Sequence, residues 1–150
     1  MTTYHLLLSL HLLFAVFAVG PLVHAATTAG RGVRLGDGQA TASASRLLRI
    51  YSYATVLVVI LGFALMSQKP FGNKKLGEFG DTYIWLSLVL WVVAIALTLG
   101  VAAPTLDKAT KQIAAQQPVA TLTGRIAATG GVVGLLFAAI VVLMVFQPGR

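Results

Sequence analysis

The sequence contains no cysteine, which excludes disulfides, thiolate metal sites and thiol redox chemistry. Acid is almost as scarce. Only four Asp and Glu stand among 150 residues, and all charged residues together make up 10%. A soluble domain charges about a quarter of its residues to coat its surface, and no such coat can be built here. The four acids, Asp37, Glu78, Asp81 and Asp107, lie in loops outside the long apolar runs. A proton-coupled exporter needs a carboxylate within the bilayer to trade protons for substrate, so a drug-efflux role is disfavoured. Nothing has the form of a nucleophile–base pair, a phosphate loop or a two-carboxylate site, and no residue is nominated as catalytic. Gly36-Asp37-Gly38 is expected to form a turn, and Tyr51, Ser52 and Tyr53 are expected to serve as interfacial anchors rather than catalytic groups.

What the chain has in abundance is apolar length. Hydrophobic residues make up 57%, the mean hydropathy is +0.86, and the apolar residues gather into four blocks. This predicts an all-α membrane protein, a single four-helix transmembrane domain over 1–150 with spans at about 5–26, 46–67, 82–103 and 125–146. The first block, Leu6 to Val23, is interrupted by Ser9 and His11. Its end, Val23-His24-Ala25, has the form of a signal-peptidase site. Met1 to His5 carry no Lys or Arg, however, while Arg31 and Arg34 follow the block, so a retained helix is expected. Gly30, Gly32, Gly36 and Gly38 mark the break after it. Asp37 can cap the second helix, with Ala40 to Ser45 carrying it above the membrane and Arg46 and Arg49 at headgroup level. A turn-rich loop from Lys69 through Gly80 follows. Asp81 is placed to cap the third span, which opens on interfacial Tyr83 and Trp85. Pro104 ends that span or restarts the helix. Thr105 to Gln117 then predicts a short amphipathic helix between helices 3 and 4, with Leu106, Ala109 and Ile113 on one stripe, cytoplasmic and lying along the surface or docked under the bundle. Pro118 ends it.

Of the eleven Lys and Arg, seven (Arg31, Arg34, Arg46, Arg49, Lys108, Lys111 and Arg125) flank the first and third connections. Lys69, Lys74, Lys75 and Arg150 lie on the other side, with Glu78 and Asp81. The positive-inside rule then predicts a multi-pass membrane protein with both termini outside. The net charge of +7 is spread between the apolar blocks. That distribution fits orientation and attraction to anionic lipid, and gives no nucleic-acid footprint.

Helices in lipid associate through close packing and interhelical hydrogen bonds. Gly130, Gly134 and Ala138 form a small-residue stripe on the fourth helix, widened by Gly124, Ala128 and Gly131. The stripe suits packing within the chain, or a homo-oligomer or partner-subunit contact. The histidines, His5, His11 and His24, all fall on the first helix. At about 100° per residue no two share a face, and His11 and His24 are separated by about 20 Å of rise. One helix therefore cannot bring two of them to one metal. His11 or His24 could act with Met66, Met144 or a partner's residue as a haem or copper ligand. The plainer expectation is a hydrogen bond, with Ser9, Tyr51 or Tyr53 as candidate partners of His11, and no bound cofactor.

The segment Leu10-His11-Leu12-Leu13-Phe14-Ala15, leading into Gly20-Pro21, resembles the first helix of a broad bacterial superfamily of small inner-membrane proteins. These include copper-resistance-D-like proteins, HemJ-type protoporphyrinogen oxidases and, most similar in look, four-span predicted integral membrane proteins of unknown function. The basic first loop and a third span ending at Pro104 share in the resemblance. Phe17 or Ala18 stands where that superfamily has a tryptophan, and the later helices lack the histidine and charged residues of the oxidases. The resemblance implies a protein of a bacterial inner (plasma) membrane, with His11 the one position carried over, and does not imply an enzyme. The expected function is structural or interactive, as an accessory subunit of a larger membrane complex. A haem- or copper-associated protein using His11 is the alternative, and a small transporter or channel a further one.

Overall fold

The computed structural model of the chain describes residues 2–70 and 72–149. Met1, Phe71 and Arg150, the last counted above among the cations of the terminal side, lie outside the described residues. Four long helices account for the architecture: α1 (Thr3–Arg34), α2 (Gly38–Met66), α3 (Thr82–Ala114) and α4 (Ala120–Phe146). Among the described residues there is no strand. The protein is thus an all-α bundle of four helices, each long and apolar enough to cross a membrane.

The helices contain 32, 29, 33 and 27 residues, whereas about 20 suffice to cross the hydrocarbon core. Most of the excess lies at the end that carries the α1–α2 and α3–α4 connections, here the basic end. The two termini and the α2–α3 connection form the terminal end. Two expectations change at this point. Gly30 and Gly32 do not break α1, which runs through both to Arg34. Gly36 alone makes the turn, at φ +64, where the Gly36 N–H donates to the Val33 carbonyl at 3.2 Å and the Asp37 N–H to Gly32 at 3.0 Å. The amphipathic segment after Pro104 is likewise no separate element but the last third of α3, packed against α2.

Continuity through the prolines has a local cause. Pro21 and Pro104 each lack an N–H, and each ring crowds the carbonyl four residues back. In both helices the backbone widens into a π segment just before the proline, Ala15–Val19 in α1 and Thr98–Ala102 in α3. At the second, the Ala103 N–H reaches back five residues to the Thr98 carbonyl. The caps are unequal. Asp37 accepts from the Ala40 N–H at 3.0 Å and caps α2 as expected. The Asp81 carboxylate makes no cap bond to α3, and accepts instead from the Glu78 N–H at 2.9 Å within the loop.

α1 packs on α2 and α4, and α3 packs on the same two helices, so α1 and α3 lie across the bundle from one another. The core is concentrated toward the basic end, where Leu22, Ala29, Val33, Leu48, Leu106, Ala109, Leu122 and Ile126 are buried together. The opposite end is barer: Thr3–Phe14 buries no residue and packs against α2. Long apolar side chains there, among them Leu12, Phe17, Ile60 and Val145, are exposed, as lipid-facing side chains are.

Candidate functional site

Most of the buried hydroxyls lie on α2 and α3, with Thr129 on α4 the exception. On α2 the buried positions Thr41, Ser45, Leu48, Ser52 and Thr55 recur at alternating steps of four and three, which holds them on one face along the helix. Four of the five carry hydroxyls. At the basic end Thr41 and Thr110 share a hydrogen bond of 2.7 Å. One turn further, the Ser45 hydroxyl donates to Asp107 at 2.5 Å and lies 3.3 Å from the Ala103 carbonyl. Arg49 donates to the other oxygen of Asp107 at 2.6 Å, with both side chains 45% exposed. Nearer the middle, the Trp91 indole N–H donates to Thr55 at 2.9 Å, and Thr55 donates to the Ser52 carbonyl at 2.7 Å. The Ser52 and Ser87 hydroxyls are buried without a hydrogen-bond partner among the described residues.

Asp107 corrects the expectation that every acid lies in a loop. It stands on α3, beyond the apolar stretch, where α3 packs against α2. Arg49, read as an orientation residue at headgroup level, is its partner. Of the other orientation residues, Arg31, Arg34, Arg46, Lys108, Lys111 and Arg125 all lie exposed at the basic end.

His11 lies on the first half of α1, half-buried against α2. Its Nδ1 is 2.9 Å from the Val58 carbonyl. A carbonyl can only accept, so Nδ1 carries the proton and, in the neutral ring, Nε2 keeps the lone pair. The ring fits because Gly62 lies beneath it: a Cβ there would come within 3.3 Å of His11 Cε1. The partner is therefore a backbone carbonyl, not Ser9, Tyr51 or Tyr53. Tyr53 is 68% exposed, and Tyr51 packs against the core. His24 is exposed, and its main-chain carbonyl accepts from the hydroxyls of Thr27 and Thr28. His5 pairs with Thr2 near the terminus. Among the described residues no group of three or more His, Asp or Glu is placed to hold a metal ion.

The small-residue stripe of α4 divides between two surfaces. Gly130 faces α1 at backbone contact, where an added Cβ would lie 2.0 Å from the Ala26 carbonyl oxygen. Gly134 faces the Thr27 and Val23 side chains at 3.3 and 3.8 Å. Ala138 does not continue this contact and is exposed, as are Gly124, Ala128 and Gly131. A Cβ on Gly124 or Gly131 would meet nothing within 4 Å. On α1 the matching row, Ala25, Ala26, Ala29 and Gly30, is buried, with Gly30 facing Ala127.

These features define a class, an all-α four-helix protein of membrane-spanning composition whose internal polar groups are concentrated at helix–helix contacts. Comparison with protein-family models, with curated proteins and with solved structures finds no match.

Proposed function

We propose that this is a non-enzymatic protein of a bacterial inner membrane with a structural or interactive role, as an accessory subunit of a larger membrane complex. In this reading the basic end faces the cytoplasm and both termini face outward. One observation carries it: apart from the Ser52 and Ser87 hydroxyls, the polar groups at the helix contacts engage one another. Arg49, Asp107 and Ser45, Thr41 with Thr110, Trp91 with Thr55, and His11 with the Val58 carbonyl each tie two helices together. What the bundle offers outward is apolar helix surface and, at the basic end, cations.

A specific feature favours a second reading. With Nδ1–H held by a backbone carbonyl, His11 has the tautomer and anchoring typical of metal- and haem-ligating histidines, leaving Nε2 as the ligand atom. A haem or copper site would then be completed by a residue of a partner. Purification in mild detergent, with an absorption spectrum, metal analysis and mass spectrometry of co-purifying chains, separates the two. A stoichiometric partner without a Soret band or copper supports the subunit reading. Stoichiometric haem or copper, lost in His11→Gln, replaces it with the second.

A further inference from the structure

The outer surface of α3 carries a shallow groove of about 470 Å3 lined by Trp91, Val92, Ile95, Ala96, Leu99 and Gly100. Its floor is low because the exposed row includes Ala96 and Gly100, and because a Cβ on Gly100 would meet nothing within 4 Å. Trp91 forms one end, fixed by its hydrogen bond to Thr55. From Trp91 to Gly100 the groove runs about 13 Å along the helix, enough for much of one acyl chain.

The same row continues toward the basic end. Ala96, Gly100, Pro104 and Lys108 follow at steps of four, and all are exposed. Three steps of four would drift by about 120° around an unbroken α-helix, but the π segment Thr98–Ala102 takes up about one extra residue, so Lys108 returns to the face that carries Ala96 and the groove. Lys108 has no ion-pair or hydrogen-bond partner among the described residues, because Asp107 beside it is taken by Arg49 and Ser45. Lys108 lies five residues, or about 7 Å, beyond Ala103 at the end of the apolar run. The headgroup layer on each face of a bilayer is about that deep.

We propose that this row is a binding site for one anionic phospholipid of the leaflet at the basic end. Its acyl chain lies in the groove over Ala96 and Gly100, and its phosphate pairs with Lys108. The groove supplies dispersion contact to any chain, and Lys108 supplies the preference for net negative charge. Zwitterionic lipids enter the same groove but gain less, because their own ammonium offsets the phosphate. The inference rests on the four helices spanning a bilayer and is independent of the accessory role proposed above.

The test is thermal unfolding of the purified protein in detergent, titrated with phosphatidylglycerol or with phosphatidylcholine of equal chain length. Phosphatidylglycerol is expected to raise the Tm at lower concentration than phosphatidylcholine. Lys108→Gln should weaken the apparent affinity for phosphatidylglycerol about fivefold, as removal of one cation near a membrane surface does, and leave phosphatidylcholine unchanged. Gly100→Leu points into open space, preserves the fold and should weaken both lipids by filling the groove. Lys74→Gln, at the other end of the molecule, should change neither. Inorganic phosphate, having no chain, should give no shift. Unchanged phosphatidylglycerol affinity in Lys108→Gln overturns the proposal, as does a wild-type response in Gly100→Leu or equal stabilisation by inorganic phosphate.

Discussion

Replacing Gly130 by alanine adds one methyl group where α1 and α4 are closest. That methyl would lie 2.0 Å from the Ala26 carbonyl oxygen and 2.8 Å from its carbon, against a normal contact of about 3.5 Å. The obstacle is helix backbone and has no rotamer to change, so α4 must retreat by an ångström or more. A gap of about 0.5–1 Å forfeits a quarter to a half of each dispersion contact it opens. Here it opens along the buried row of Ala26, Ala29, Ile126 and Val133. Overpacking of this kind costs about 1–3 kcal/mol, and the fixed backbone places Gly130→Ala at the upper end. The gain in helix propensity, about 1 kcal/mol for an exposed site in water, offsets only part. Gly134→Ala meets a methyl of Thr27 at 3.3 Å, a side chain able to give way, and should cost less than about 1 kcal/mol. Gly131→Ala meets nothing and serves as the control. Reversible unfolding in mixed micelles, followed by tryptophan fluorescence, should rank the losses Gly130→Ala, then Gly134→Ala, then Gly131→Ala. A Gly130→Ala protein as stable as the wild type would refute the claim that α1 and α4 meet at backbone contact.

The Arg49–Asp107 pair is half-exposed, so a double-mutant cycle with Arg49→Gln and Asp107→Asn should give a coupling below about 1 kcal/mol, fading in high salt; a large coupling insensitive to salt would contradict that assignment. His11→Gln retains a donor for the Val58 carbonyl and should cost less than about 1 kcal/mol, with His11→Leu costing more; equal stability of the two would show that the bond contributes nothing. For orientation, alkaline phosphatase fused to the C-terminus should be active and a fluorescent protein at the same point dark, and the reverse pattern would invert the topology while leaving four spans.

The four long apolar helices were legible because long apolar runs have few other structural meanings in a chain this short of charge. Asp37 was legible as a cap because its role depends on the next few residues. The lengths of α1 and α3 were not. Glycine and proline are penalised by local rules, yet Gly30 and Gly32 are accommodated where neighbouring helices approach closely, and Pro104 is absorbed by a π segment. The polar face of α2 left a readable trace, the four-and-three recurrence of Thr41, Ser45, Leu48, Ser52 and Thr55, four of them hydroxyls. Hydroxyls at that spacing mark a polar interhelical face as apolar residues mark a core. The partner of His11 left none, because a backbone carbonyl has no letter in the sequence. Division of the α4 stripe between Gly130 facing inward and Ala138 facing outward also depends on where α1 crosses, which is a property of the pair.

The pairing of α1 with α4 has a consequence for biogenesis. The Ala25, Ala26, Ala29 and Gly30 row enters the membrane early, but its match on α4 is synthesised only after more than half the chain has followed, on the order of ten seconds later. Through that interval the row stands in lipid or against the insertion machinery. Its composition suits the wait, since small apolar residues leave no unsatisfied polar group and offer little surface for a wrong neighbour to hold.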